Sequence, residues 1–130
     1  MTQEEKELLL KDLCTRLPYG VKIAKRQYNY CNSLTLTGIV GDRCYFNDNP
    51  RYDGDCPIDE IKPYLRPMLS MTAEEQRTLD SMCNGVEMVG RLSGLKMFDN
   101  AFIWLNENHF DYRGLIEKGL AIDATGLNIY

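Results

Sequence analysis

Near the start of the chain Leu9, Leu10, Leu13 and Leu17 recur at three- and four-residue steps, the repeat of one buried helix face. Glu4, Glu5, Lys11 and Asp12 fall mostly on the other faces. Thr2 and Glu5 have the spacing of a capping box, in which each side chain satisfies an unpaired amide of the first turn. A helix is therefore predicted from Thr2 until Pro18 and Gly20 end it. The period then drops to two. Val21 and Ile23 alternate with Lys22 and Ala24, which predicts a half-buried strand as far as Arg26. Leu34 to Val40 is rich in β-branched residues, with Leu34, Leu36 and Val40 on one side and Thr35, Thr37 and Ile39 on the other. Gly41 and Asp42 follow as a two-residue connection, and Arg43 to Phe46 is the return strand of a hairpin.

Residues 47–57, NDNPRYDGDCP, are dense in turn formers and predict a long exposed loop. Ile58 and Ile61 suit a brief strand or helical turn, and Pro63 and Pro67 impose extended backbone on Tyr64, Leu65 and Arg66, in a segment expected to cross the surface between two layers. Thr72 and Glu75 repeat the capping-box spacing ahead of a helix whose apolar side is Leu79, Met82 and Cys83 and whose stop is Asn84-Gly85. Val86, Met88 and Val89 fit either an edge strand or an irregular connection. Asp99 reads as an N-cap with Phe98 stapled onto Ile103, opening a strongly apolar helix (Phe102, Ile103, Trp104, Leu105) expected at the centre of the core. A polar junction, Asn108-His109, leads to Phe110 and to Asp111, the cap of one or two further turns through Leu115 and Ile116 that Gly119 stops. Residues 121–130 fit a strand or a loop equally well.

Helix, antiparallel strands, then helices is an α+β order, without the strand and helix alternation of a parallel sheet. The expected architecture is a single domain over 1–130: a small antiparallel, SH3-like curled sheet packed with an N-terminal helix and two or three C-terminal helices. With 130 residues, 44% hydrophobic and 26% charged, the composition is that of an ordinary globular domain. Fifteen Lys and Arg against nineteen Asp and Glu give a net charge of −4, the wrong overall sign for a protein that wraps nucleic acid electrostatically. The acidic, amphipathic start has no basic region leading into an apolar one, and no run is apolar enough to span a bilayer, so a cytoplasmic protein without membrane contact is expected. Five cysteines, Cys14, Cys31, Cys44, Cys56 and Cys83, are odd in number and widely spaced, which suits reduced, mostly buried thiols.

Candidate chemistry is sparse. A calcium loop with Gly54 at its sixth position would put Asn49 first, Arg51 third, Asp53 fifth and Glu60 twelfth, and an arginine at a ligand position defeats the match. There is no close Cys or His pair of the kind that zinc needs, no glycine-rich phosphate cradle and no nucleophile elbow. No metal or cofactor is expected, and no catalytic residue is assigned. A cysteine activated by His109, with Asp111 orienting the ring, is the one enzymatic arrangement available, and enzyme status stays open. Arg16, Lys22, Lys25 and Arg26 run without an intervening acid beside Tyr19, Tyr28 and Tyr30. Cations for phosphates next to rings that stack on bases suit a single-stranded nucleic acid, for which Lys22, Lys25, Arg26, Tyr28 and Tyr30 are the candidate contacts. The competing reading is an ordinary solvated sheet face. Trp104, His109, Asp111, Tyr112 and Arg113 concentrate aromatic and arginine groups of the kind enriched at protein-binding hot spots. Tyr112 and Arg113 are then expected to matter for binding and little for stability. The competing reading of this segment is a core corner whose polar groups cap two helices.

The segments LKDLCTRLPYGVK, IKPYLRPMLSMT and WLNENHFDYRGLIEKGLAI together resemble a family of small uncharacterised proteins from gut bacteria and their prophages or other mobile elements. The resemblance implies a cytoplasmic accessory protein and transfers no functional residue. The leading expectation is a non-enzymatic protein that binds another protein; a nucleic-acid-binding accessory factor and a small Cys/His enzyme are the alternatives.

Overall fold

The computed structural model describes residues 1–30, 33–46, 55–83 and 91–130. Helix α1 spans Gln3–Arg16, and the Thr2 hydroxyl accepts from the Glu5 amide at 3.1 Å, as the capping-box spacing requires. A 3-10 turn over Leu17–Tyr19 ends at Gly20, whose φ of +69° costs a glycine nothing. Strands β1 (Lys22–Lys25), β2 (Leu34–Val40), β3 (Arg43–Phe46), β4 (Asp55–Pro57) and β5 (Ile61–Pro67) follow. The order β4-β3-β2-β1-β5 is antiparallel throughout, with a 3-10 turn at Ile58–Glu60 joining β4 to β5. Strand β2 is shared between two halves: Leu34 and Thr35 pair with β1, and Leu36 to Val40 pair with β3. Strand β2 thus links the two halves of the sheet.

Helices α2 (Ala73–Cys83) and α3 (Arg91–Glu107) complete an α+β fold, and the short strands β6 (Phe110–Asp111) and β7 (Ile122–Asp123) join β5 in parallel. The sheet is thus antiparallel over five strands and mixed at its C-terminal side. The core lies between α1 and the curled sheet, where Leu9, Leu13, Val21, Ile23, Ile58, Ile61, Leu65 and Leu115 are all at 0% exposure. Among the described residues no helix is long and apolar enough to cross a membrane.

Several expectations are corrected. Val40 is 68% exposed while Ile39 packs on the core, because a bulge between Leu36 and Gly38 slips the register and exchanges the two faces. Residues 55–57, expected in a loop, form β4, whose Asp55 is bonded to Arg43; residues 47–54, including most of the calcium-loop candidates, lie outside the described residues. The 61–67 segment is not a surface crossing but a central, largely buried strand. Its prolines are tolerated because each stands where pairing ends: Pro63 is the last residue opposed to β1 and Pro67 the last opposed to β6. The second capping box forms in full, Thr72 N donating to Glu75 Oε1 at 3.0 Å and Glu75 N to Thr72 Oγ1 at 3.1 Å.

Asp99 is no N-cap, since α3 begins at Arg91 and runs through it. Phe98 and Phe102 are 44% and 48% exposed, and among the described side chains of the helix Ala101, Leu105 and Asn106 are the buried ones. A staple of Phe98 on Ile103 would have needed the helix to start after Phe98. The proposed stop at Asn84-Gly85 and the 86–90 strand fall outside the described residues. Asp111 does cap the next turns, its Oδ1 and Oδ2 accepting from the Leu115 and Ile116 amides at 2.9 Å each. Those turns are not an α-helix, and Gly119 closes them at φ +74°.

Candidate interaction site

The stripe of α1 that faces inward carries charges as well as leucines. Asp12 and Arg16 share it with Leu9 and Leu13, and both charged side chains are at 0% exposure. Arg16 Nε donates to Asp12 Oδ2 at 2.7 Å, and Arg16 Nη2 donates to the Phe110 carbonyl at 2.6 Å. The other carboxylate oxygen of Asp12 accepts from Arg113 Nη1 at 2.9 Å, and the same nitrogen reaches Thr15 Oγ1 at 3.2 Å. One buried carboxylate therefore holds two guanidiniums, a geometry that repays the desolvation of the charges only while all three groups are present. This revises two expectations at once. Asp12 does not lie on a polar face, and Arg16 belongs to the core and not to the basic stretch before Tyr30.

Tyr112 stands on this charged base. Its ring centroid lies 5.3 Å from the Arg16 guanidinium carbon and 4.8 Å from that of Arg113, positions that favour a cation against a π face. Its hydroxyl donates to Asn106 Oδ1 at 3.1 Å, and its ring meets that of Phe102 at 5.4 Å and 51°. Phe102, Tyr112, Tyr19, Asp99 and Arg113 rim a groove of about 350 Å³ between α1 and α3. Of the five residues marked for partner binding, Tyr112 and Arg113 thus line a surface feature. Arg113 is also one of the two partners of buried Asp12, which ties it to stability as well as to the surface.

The other three have internal work. Trp104 is half-buried and stacks on Phe110 at 5.7 Å and 25°, and Arg66 approaches the same Phe110 ring at 4.1 Å. Asp111 is buried as a cap. His109, 9% exposed with φ +62°, stacks on Tyr130 at 3.5 Å and 10°. Burial, followed by the nearby guanidiniums of Arg16 and Arg66, holds His109 down at about 4, so its ring is neutral at pH 7. The core-corner reading of the segment therefore describes these three residues, and the surface reading describes Tyr112 and Arg113.

The basic strand is also partly engaged. Lys22 Nζ bonds Thr35 Oγ1, Lys25 Nζ sits 4.6 Å from the Phe46 ring centroid, and Lys62 sits 4.6 Å from that of Tyr30. Arg26 is exposed, and Tyr28 lies in the 3-10 turn Arg26–Tyr28. Among the cysteines, Cys44 and Cys56 oppose each other across β3 and β4, fully or nearly buried. Burial pushes the Cys44 thiol up to about 12 and raises that of Cys56, the reverse of what a nucleophile needs. Cys14 is exposed and Cys83 half-buried. Glu75 accepts both Arg66 guanidinium bonds, at 3.0 and 2.8 Å, which lowers its pKa from the ordinary carboxylate value.

Nothing in the local pattern marks Phe102 as an exposed ring or Tyr130 as a tertiary contact. Asp12 and Arg16 could have been found, since 9, 12, 13 and 16 are one helical stripe and a charge pair within it signals a buried ion pair. No protein-family model, curated protein or solved structure matches the chain.

Proposed function

We propose that the protein is a non-enzymatic accessory factor that binds another protein through the α1/α3 groove. The observation that carries the reading is the exposed aromatic edge of α3, Phe98 and Phe102 at 44% and 48%, set against a Tyr112 ring that two arginines and Asn106 hold in place. A rigid aromatic beside an accessible ring and an arginine is the composition of a binding hot spot, because ordering such groups costs little additional entropy on association. The partner in this reading offers an apolar side chain to Phe102 and Tyr112 and polar groups to the Asp99 and Arg113 rim. The resemblance to a family of small uncharacterised proteins of gut bacteria and mobile elements implies an accessory protein, which is in keeping with an adaptor of this kind.

The test is capture of partners by the immobilised chain after nuclease treatment, comparing wild type with Phe102→Ala. A protein retained by the wild type and lost from the variant, with the thermal midpoint unchanged within a few degrees, supports the groove. Equal capture by both overturns it, and recovery that disappears with nuclease redirects attention to Lys22, Lys25 and Arg26.

A further inference from the structure

Residues 124–130 run back across the sheet, and one side chain secures their end. The Tyr130 hydroxyl accepts from the Lys22 backbone N–H at 2.8 Å and donates to the Tyr64 carbonyl at 2.8 Å. The β1–β5 register opposes Lys25 to Ile61, Ala24 to Lys62 and Ile23 to Pro63, so Lys22 and Tyr64 would be the next pair. The phenol oxygen stands in that rung, bridging an amide and a carbonyl that a continued ladder would have joined. Burial holds the Tyr130 hydroxyl above its ordinary pKa, so it remains a donor.

The Tyr130 ring is in turn stacked on His109, whose Nδ1 is buried without a hydrogen-bond partner among the described residues. The charged and titratable groups around this stack come from four directions. Helix α1 supplies Arg16 with its partner Asp12, and β5 supplies Arg66 and Tyr64. Glu75 of α2 holds Arg66, and Tyr130 lies on the ring itself. Beside the stack is an open cavity of about 250 Å³, with Arg66 and Ser70 on one wall and Thr125, Gly126 and Asn128 of the returning segment on the other.

We propose that His109 and Tyr130 form an acid-released clasp that holds residues 124–130 across the β1–β5 seam and beside the Arg66 cavity. A proton on the imidazole would add a third cation to a site that already contains two guanidiniums, and would create a buried N–H donor at Nδ1 that the stacked geometry leaves without an acceptor. Lifting Tyr130 gives the ring access to water, so the open form takes up the proton first. The sign follows from linkage. His109 is held at about 4 when clasped against 6.5 when free, so the clasp is at full strength above pH 6.5 and weakens by up to about tenfold per pH unit from there down to about 4. Glu75 and the other carboxylates act lower, near and below their own ordinary values, which separates their effect from that of His109.

The test is amide exchange by NMR on the intact chain, corrected for intrinsic rates, at pH 7, 6 and 5. The probes are Lys22, whose amide donates to Tyr130, and Ala124 and Leu127, whose amides donate to the Leu65 and Ala124 carbonyls. At pH 7 protection at these three is expected to lie well below that of the Leu9 and Leu13 amides in α1 and to be insensitive to low urea, the mark of a local opening, and it is expected to fall about tenfold between pH 6 and pH 5. Tyr130→Phe, which retains the ring and loses the bridging oxygen, is expected to lower protection at pH 7 and keep the pH slope. His109→Asn, which accepts the left-handed backbone but cannot titrate, is expected to abolish the slope. A flat profile in the wild type, or protection and urea sensitivity at the three probes equal to those of α1 at every pH, would overturn the clasp.

Discussion

Asp12 is a buried carboxylate shared between two arginines, Arg16 one turn along α1 and Arg113 from the far end of the chain. Both its oxygens are committed to arginines, one of them wholly buried, so removing the carboxylate leaves Arg16 without a counter-charge in the core. Asp12→Ala is expected to cost about 3–5 kcal/mol in urea denaturation, the range for breaking a buried ion pair from one side; a loss below about 1 kcal/mol would show that water compensates Arg16. The cysteines give a second test at the same scale. With thiols raised by burial, Cys44 and Cys56 are expected to resist iodoacetamide at pH 7.5 in the folded protein and to react once it is unfolded, while exposed Cys14 reacts throughout. Peptide mass mapping distinguishes the outcomes.

Individual elements form where local chemistry and tertiary demand agree. The Thr72/Glu75 capping box closes with reciprocal bonds of 3.0 and 3.1 Å, Thr2 caps α1 through the Glu5 amide at 3.1 Å, and the Gly41-Asp42 hairpin joins Val40 to Arg43 with Gly41 at φ +62°. Strand β2 shows the limit of local reasoning. Strict alternation places Val40 inside and Ile39 outside, and one bulge reverses them. Ile39→Ala is therefore expected to cost about 1–2 kcal/mol and Val40→Thr less than about 0.5 kcal/mol, as read from paired thermal melts; the opposite ranking would restore unbroken alternation.

The whole molecule is fastened at one corner, where α1, β5, β6 and residues 109–130 meet. Arg16 bonds the Phe110 carbonyl, the Arg66 amide bonds the His109 carbonyl at 2.8 Å, and Tyr130 bridges β1 and β5. This corner sets the response to acid. His109 is depressed in the fold, so its contribution is intact above pH 6.5 and is lost as pH falls toward 4; Glu75 is depressed too, so its contribution to the Arg66 pair is lost only as pH falls through about 4.5 and below. Differential scanning calorimetry is expected to show a flat midpoint from pH 8 to 6.5 and a decline beneath it. In His109→Asn the decline is expected to begin about two pH units lower, and an unchanged onset would remove His109 from the acid response.

The sequence by itself determined the α+β class, the extent of α1 and its Thr2 cap, the first hairpin, the Thr72/Glu75 capping box and the Asp111 cap, because each depends on residues within a few positions of one another. It also marked Tyr112 and Arg113 as chemistry to be explained. Only the tertiary structure decided which face of β2 is buried, that 61–67 is a central strand despite two prolines, and that Arg113 and the Phe110 carbonyl complete the Asp12–Arg16 pair in the core. It also decided that α3 starts before Asp99 and leaves Phe98 and Phe102 at the surface. The physical reason is common to all of these. The local Asp12–Arg16 pair is completed in the core by Arg113, 101 residues from Asp12, and by the Phe110 carbonyl, 94 residues from Arg16, and a proline in a strand is tolerable only where the neighbouring strands end. Such conditions are met by contacts distant in sequence, and no local pattern records them.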